Sequence, residues 1–253
     1  MLINMKILAV IPARAGSKGI PNKNIRLLGK HPLVYYSIHN ALTSSYITDV
    51  IVTTDSESVR IIAQQMGAIV RWRDERLCGD DITLDAVIYD AIPKNEQWDY
   101  VVTMQPTSPT LSVKTLDKAI QYAIDNNLDT LISAINDPHL SWGVYEGKKI
   151  PNYTIRLNRQ YLPPCYKETG AFVISKASVV SEDTRVGTKV DVFDMPENES
   201  QDIDTFADLH SAVVSINAPK VGIYVNGNNK RGIGHIYRAL EIADEFYVKP
   251  DIY

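Results

Sequence analysis

Apolar positions fall into two alternating patterns along this chain. Short, nearly unbroken runs occur at 6–11, 49–54, 100–104, 130–134 and 171–174, as expected of strands buried on both faces. Between them, 33–42, 56–66, 83–92, 113–126 and 205–214 carry apolar residues every third or fourth position, with Ser, Thr or Asp near several starts, and these predict helices. The alternation predicts an α/β fold with a doubly wound, mostly parallel sheet of Rossmann-like type, covered by helices on both faces. Such sheets bind ligands beyond the carboxyl ends of their strands. Four polar segments belong to that edge: Arg14 onward, Thr53-Thr54-Asp55, Gln105 to Pro109, and the residues before Ala171. They are expected to face one crevice.

Residues 138–168 break the rhythm, being rich in Pro, Tyr and Trp, with Gly143 and Gly147 at turn-like positions. They predict an inserted hairpin of the kind that covers a site or makes a subunit contact. After 219 the pattern restarts with a strand over Val221 to Val225, a polar loop and an amphipathic helix through Phe246. The expected organisation is one domain over 1–218 and, over 219–253, the opening of a second α/β unit. That tail is too short to bury a core of its own. It reads either as the start of a truncated longer chain or as a segment that docks elsewhere.

Composition narrows the function classes. The 253 residues are 45% hydrophobic and 22% charged, ordinary for a globular chain, and the net charge of −4 argues against bulk binding of nucleic acid. Any anion site is therefore local. Cys78 and Cys165 are isolated, so neither a disulfide framework nor a thiolate zinc site is expected. The first apolar run is too short for a signal peptide and no later run is long enough to span a bilayer, so the sequence predicts a cytoplasmic protein with no membrane partner.

The densest chemistry lies in Pro-Ala-Arg-Ala-Gly-Ser-Lys-Gly-Ile-Pro-Asn-Lys-Asn, residues 12–24, directly after the first strand-like run. Gly16 and Gly19 allow close backbone approach, and Arg14, Lys18 and Lys23 supply positive charge, a combination suited to a polyphosphate. It is neither the Gly-x-x-x-x-Gly-Lys-Ser/Thr loop nor Gly-x-Gly-x-x-Gly. A second candidate is Asp202-Ile203-Asp204: on an extended segment, period two puts both carboxylates on one side, an arrangement for a hard cation. One of the two aspartates could instead cap the helix starting near Thr205.

The loop 12–24 resembles the nucleotide-binding loop of the acylneuraminate cytidylyltransferases, which join CMP to sialic acid and related nine-carbon sugar acids. Further motifs similar to that family follow in order: Arg73 with Asp80 seven residues on, Gln105-Pro-Thr-Ser-Pro109, Arg159-Gln160 before Leu162-Pro163, Gly170-Ala171, and Asp202-Ile-Asp204-Thr205. The resemblance covers about residues 5–214. It implies a nucleotidyltransferase that binds CTP and a nonulosonic acid and uses Mg²⁺. Arg14 and Lys23 are implied to hold the triphosphate, with Ser17, Lys18, Asn24, Asp80 and Thr83 completing the nucleotide site. Asp202 and Asp204 are implied as metal ligands, and Arg14, Lys23 and the two aspartates as the catalytic set. Arg73, Gln105, Arg159 and Lys167 are implied for the sugar, Arg159 gripping its carboxylate from a dimerisation hairpin that enters the neighbouring subunit. A homodimer is therefore expected, although Arg159 also reads as an ordinary surface arginine.

The sugar half departs from the family's pattern more than the nucleotide half. Thr110-Leu111 stand where Leu-Arg often follows the Pro-Thr-Ser-Pro motif, Glu168-Thr169 precede Gly170 in place of a more usual Asn, and Lys167 takes a position where relatives can carry Arg. A CTP-binding scaffold without turnover, or a cytidylyltransferase for the eight-carbon keto sugar acid, are the alternatives. In the tail, Gly232, Gly234, His235 and Arg238 resemble the first loop of the nucleotide-sugar hydrolases of pseudaminate biosynthesis. No catalytic role follows for His235, since the other half of such a site is missing.

Overall fold

The computed structural model describes residues 5–17, 19–219, 221–227, 233–246 and 250–253. Lys18 and Gly232, singled out above, lie outside them. The chain divides into two compact units, 1–212 and 213–253.

The first unit is built on a seven-stranded sheet. The strands of the unit are β1 (Ile7–Pro12), the two-residue β2 (Leu27–Leu28) and β3 (His31–Pro32), β4 (Asp49–Thr54), β5 (Ile69–Trp72), β6 (Tyr100–Met104), β7 (Thr130–Asn136), β8 (Trp142–Tyr145), β9 (Lys148–Pro151), β10 (Tyr166–Lys176) and β11 (Val190–Asp194). The helices are α1 (Leu33–Thr43), α2 (Glu57–Met66), α3 (Leu84–Ala91), α4 (Val113–Asp125) and α5 (Phe206–Asn217), the unit boundary falling inside α5. The sheet order is β11-β7-β10-β6-β1-β4-β5, with β10 antiparallel to both neighbours and the other pairs parallel.

Alternation along β1 explains the double winding. Ile7, Ala9 and Ile11 join the core formed with Val34 and Ile38 of α1, Val59 of α2 and Leu116 and Ile120 of α4. Leu8 and Val10 face the other way, toward Ile88 and Ala91 of α3. Successive side chains point to opposite faces, so an unbroken apolar run is what a strand covered on both sides requires.

Helix starts follow local capping. Ser56, Thr83 and Ser112 each accept a hydrogen bond from a backbone N–H three residues on, opening α2, α3 and α4. Gly67, with φ of 91°, closes α2 in the left-handed conformation that glycine adopts readily.

Within the seven-stranded sheet, two strands lie outside the predicted set, β5 and β11. Both are sheet edges and both carry charged residues, Arg71 in one and Asp191 and Asp194 in the other. Edge strands need no continuous apolar run, and charge on them discourages pairing with other chains. The predicted hairpin is β8–β9, turned by Glu146 and Gly147 at φ of 48° and 76°, a primed two-residue turn. Gly143, expected in a turn, lies inside β8, where a Cβ would come 2.9 Å from Asn152 Oδ1.

The second unit holds β12 (Gly222–Ile223), α6 (Gly234–Asp244) and β13 (Asp251–Ile252), the two strands pairing in parallel.

Candidate functional site

The carboxyl edge of the sheet gathers the polar segments. β1 and β4 are in register through Pro12 and Thr53, so the loop after β1 and the segment after β4 emerge side by side. The Thr54 hydroxyl donates to the Ala13 carbonyl at 2.6 Å and the Asp55 carboxylate accepts the Ala15 N–H at 2.7 Å. Because β10 runs antiparallel, its opening residues lie at the same edge as the ends of β6 and β1. Gly170, at φ of 71°, passes Gln105 and Asp202 so closely that a Cβ would stand 3.4 Å from the Gln105 amide nitrogen and 3.7 Å from Asp202 Oδ2.

Two cavities open there. One, of about 460 Å³, is lined by Arg14, Ser17, Gly19, Lys23, Asn24, Arg73, Gln105, Thr107 and Asp204 among others. The larger, of about 730 Å³, is lined by Arg159, Lys167, Glu168, Asp194, Asp202, Asp204 and Asp208 among others. Asp204 belongs to both, so they adjoin along the Asp202–Asp204 segment.

Lys23 begins a one-turn 3-10 helix, and its Nζ reaches the Ile203 carbonyl at 2.7 Å and Asp204 Oδ1 at 3.3 Å. Asn24 turns its amide Nδ2 onto the Arg14 carbonyl at 2.9 Å, folding the loop back on itself. Arg14 Nη2 lies 2.9 Å from Asp80 Oδ1. Gly19 is where the loop passes the Asp202–Asp204 segment, since a Cβ there would sit 2.5 Å from the Asp204 carbonyl oxygen. Any side chain would push the two apart.

Arg73 is 4% exposed. Its Nη2 donates to the Thr53 carbonyl at 3.0 Å, and burial pulls the guanidinium below its ordinary range while Asp55 opposes that shift. Arg73, expected at the sugar, lines the smaller cavity together with Gln105, Arg14 and Lys23. Thr83, expected to touch nucleotide, lines neither cavity: its hydroxyl is occupied as the cap of α3.

Ile203 is fully buried and its N–H donates to the Thr107 carbonyl at 2.9 Å, while Asp202 and Asp204 on either side both line the larger cavity. The residue Asp202 is open to the cleft, yet protein atoms crowd its carboxyl, and that desolvation raises its pKa, with the nearby charges of Asp204 and Asp208 adding to the rise. The Thr107 hydroxyl and Lys23 pull it the other way.

Neither aspartate caps α5. Thr205 and Asp208 form a reciprocal capping box: Asp208 N–H donates to Thr205 Oγ1 at 3.2 Å, and Asp208 Oδ2 accepts the Thr205 N–H at 2.7 Å and the Asp204 N–H at 3.1 Å. Asp208 holds the backbone under Asp204, and the Thr205 hydroxyl, at 2.8 Å from Asp208 Oδ2, leads those two N–H groups in lowering its pKa. The pattern Thr-x-x-Asp was present in the sequence and is the signal that locates it.

Two carboxylates beside each other at the cavity wall suit a divalent cation that takes one or two carboxylates and completes its shell with phosphate oxygens and water. Among the described residues there is no cage of three or more such ligands.

At the far side of the larger cavity Arg159 Nη2 lies 3.0 Å from Asp137 Oδ1, and the same carboxylate pairs with His139 Nδ1 at 2.9 Å. Lys167 and Glu168 line this cavity from the opening of β10.

Residues 8–209 match the cytidylyltransferase family. The chain belongs to it. It is similar to the pseudaminic acid cytidylyltransferase of Campylobacter jejuni, 33% identical over 223 residues that cover 83% of this chain and 96% of that protein. It also resembles the N-acylneuraminate cytidylyltransferase of Streptococcus agalactiae, 29% identical over 81% of this chain and 52% of that one. The Legionella pneumophila CMP-N,N'-diacetyllegionaminic acid synthase is 43% identical over 122 residues, 46% of this chain and 53% of that protein. Among solved structures, a CMP:2-keto-3-deoxy-manno-octonic acid synthetase complexed with CTP shares the fold at TM-score 0.63 and 17% identity, over 83% of this chain and 98% of that one. This cytidylyltransferase thus has the expected nucleotidyltransferase-type α/β fold. No helix among the described residues is long and apolar enough to cross a membrane.

Proposed function

We propose that this cytidylyltransferase transfers CMP from CTP to the anomeric hydroxyl of a 2-keto-3-deoxy nonulosonic acid, releasing pyrophosphate. The observation that carries the reading is the meeting of two cavities at Asp204, one lined by the cationic loop and the other by Arg159 and Lys167. The smaller takes CTP, with Arg14 and Lys23 on the triphosphate and Ser17 beside them. Lys18, in the same loop, is assigned to the phosphates by sequence. Asn24, its Nδ2 committed to the loop, keeps its carbonyl as an acceptor for the exocyclic amine of cytosine. Asp80 orients Arg14 at the cavity rim, and Thr83 supports the site through the start of α3.

The larger cavity takes the sugar acid. An arginine fork is the natural partner of its carboxylate, which assigns Arg159, with Lys167 as a second cation and Gln105 and Arg73 at the boundary. The hydroxyl attacks the α-phosphorus as the bond to the β-phosphate oxygen breaks, so the chain's task is alignment and stabilisation of phosphoryl charge. Asp202 and Asp204 would hold Mg²⁺, which when bound neutralises phosphate charge at the junction. Pseudaminate heads the acceptor candidates, because the relative named for it aligns over nearly its whole length.

The hairpin segment exposes Trp142, Val144, Tyr145, Ile155, Leu157 and Tyr161. A display of this size marks an interaction surface, and its occupant is a second copy, giving a homodimer in which Arg159 serves at the interface. We assign residues 219–253 to a second, smaller unit of α/β type, and the working enzyme to the cytoplasm.

Pyrophosphate release from CTP and Mg²⁺ is the test, with pseudaminate, legionaminate, N-acetylneuraminate, the eight-carbon keto sugar and no sugar. Release with one nine-carbon acid, lost on chelation and in Asp204→Asn, is the expected outcome. CTP binding with no release across the panel assigns the chain to a scaffold role, and release with only the eight-carbon acid moves it to that substrate.

A further inference from the structure

The residues that connect the nucleotide loop to buried Arg73 lie in one short stretch, Thr53 to Ser56, and only part of it is committed to the fold. Thr53 accepts the Ala13 N–H at 3.0 Å and the Arg73 Nη2 at 3.0 Å, both on its carbonyl oxygen. Thr54 donates its hydroxyl to the Ala13 carbonyl at 2.6 Å, and its own carbonyl accepts the Arg73 N–H at 2.9 Å. Ser56 caps α2. Asp55 stands between them with a different allegiance. Its Oδ1 accepts the Ala15 N–H at 2.7 Å, and its charge is the largest influence favouring the charged form of Arg73.

Arg73 needs that influence. Among the described residues it makes no ion pair, is nearly inaccessible, and faces the like charge of Arg14. Two guanidiniums line one cavity that is read here as a polyphosphate site, and with the cavity empty they repel. A buried charge without compensation is costly, and a flexible loop next to it would move away. A carboxylate that both binds the loop backbone and offsets the buried guanidinium resolves the two difficulties together.

We propose that Asp55 is the positioning residue of the nucleotide site: it fixes the turn at Ala15 so that Arg14 stays presented beside Arg73 before the ligand arrives. The inference rests on the reading of this cavity as the CTP site. Asp55 does not line the cavity, so it acts through the loop and not on the nucleotide. Preorganisation of this kind lowers the ordering cost of binding, and its loss raises the KM for the ligand of that cavity.

Electrostatics and positioning predict opposite results. If Asp55 were only a negative charge near phosphates, its removal would tighten CTP binding. As a positioning residue, Asp55→Ala raises the KM for CTP by about tenfold or more while leaving the KM for the sugar acid within about twofold. Asp55→Asn keeps an acceptor for the Ala15 N–H and restores the KM for CTP to within about threefold of the parent. An unchanged or lowered KM for CTP in Asp55→Ala overturns the proposal, as does an Asn variant as impaired as the Ala one. Hydrogen exchange of the Ala15 amide in the unaltered protein needs no variant: slow exchange is expected, and exchange as fast as an unprotected loop amide overturns it. CTP binding by the unaltered protein, measured first by calorimetry, separates the two failures. No binding there sinks the reading of the cavity and the positioning role with it, whereas binding there that Asp55→Ala leaves unaffected sinks the role of Asp55 alone.

Discussion

Lys23 Nζ lies 2.7 Å from the Ile203 carbonyl oxygen and 3.3 Å from the Asp204 carboxylate, joining the loop after the first strand to a segment 180 residues later. In the proposed function this ammonium serves the triphosphate beside Asp204. Lys23→Met removes the charge at nearly constant length, and kcat should fall on the order of 100-fold, by analogy with single electrostatic donors in other sites. Steady-state pyrophosphate release measures it, and an unchanged kcat takes Lys23 out of the reaction.

Gly19→Ala tests the close passage of the loop and the Asp202–Asp204 segment. A Cβ 2.5 Å from the Asp204 carbonyl oxygen cannot be accommodated without backbone movement. Turnover should drop by at least about tenfold, since small misplacements of reacting groups have large kinetic effects. Gly16→Ala is the matched control for folding: nothing lies within 4 Å of its added carbon, and its thermal stability should match the parent's.

Gly170→Ala meets two obstacles, a left-handed backbone at φ of 71° and the Gln105 amide at 3.4 Å. The backbone alone should lower stability by about 1 to 2 kcal/mol. Thermal unfolding reads that loss, and a rise in KM for the sugar acid reads the displacement of Gln105.

The capping box supports Asp204 from beneath. Asp208→Ala should lower stability by about 1 kcal/mol, as loss of a helix cap generally does. The same variant should weaken the response of turnover to Mg²⁺, because the Asp204 N–H loses its partner; a Mg²⁺ titration that superimposes on the parent's would show that Asp204 holds its place alone.

Asp129 fastens three strands at the opposite edge of the sheet. Its carboxylate accepts the N–H groups of Thr188 and Lys189 and the Thr188 hydroxyl, and pairs with Lys176 Nζ at 3.0 Å. These bonds hold its pKa well below the usual carboxylate range, the Lys189 N–H leading and Lys176 and Thr188 following. A depressed folded-state pKa contributes stability that is complete above the unfolded value, near pH 4, and is lost as pH falls toward the folded one. Asp129→Asn should therefore unfold more easily than the parent at neutral pH, and the two denaturation midpoints should converge as the solution is acidified below about pH 4. A gap that stays constant over that range would show that the charge contributes nothing.

The sequence by itself determined the interior of this molecule and the place of the cationic loop that follows its first strand. Strands buried on both faces must be continuously apolar, helices packed on one face must repeat every third or fourth residue, and the loop 12–24 follows its strand directly in the chain. Tertiary structure decided the edges and the junctions. The strands at 69–72 and 190–194 sit at sheet edges, where burial no longer dictates composition. That Arg73 shares a cavity with Arg14 and Lys23, and that Lys23 reaches Asp204, depend on contacts between residues distant in the chain. Local pattern records which face of an element is apolar; it holds no information on which polar groups from separate loops converge once the sheet is assembled.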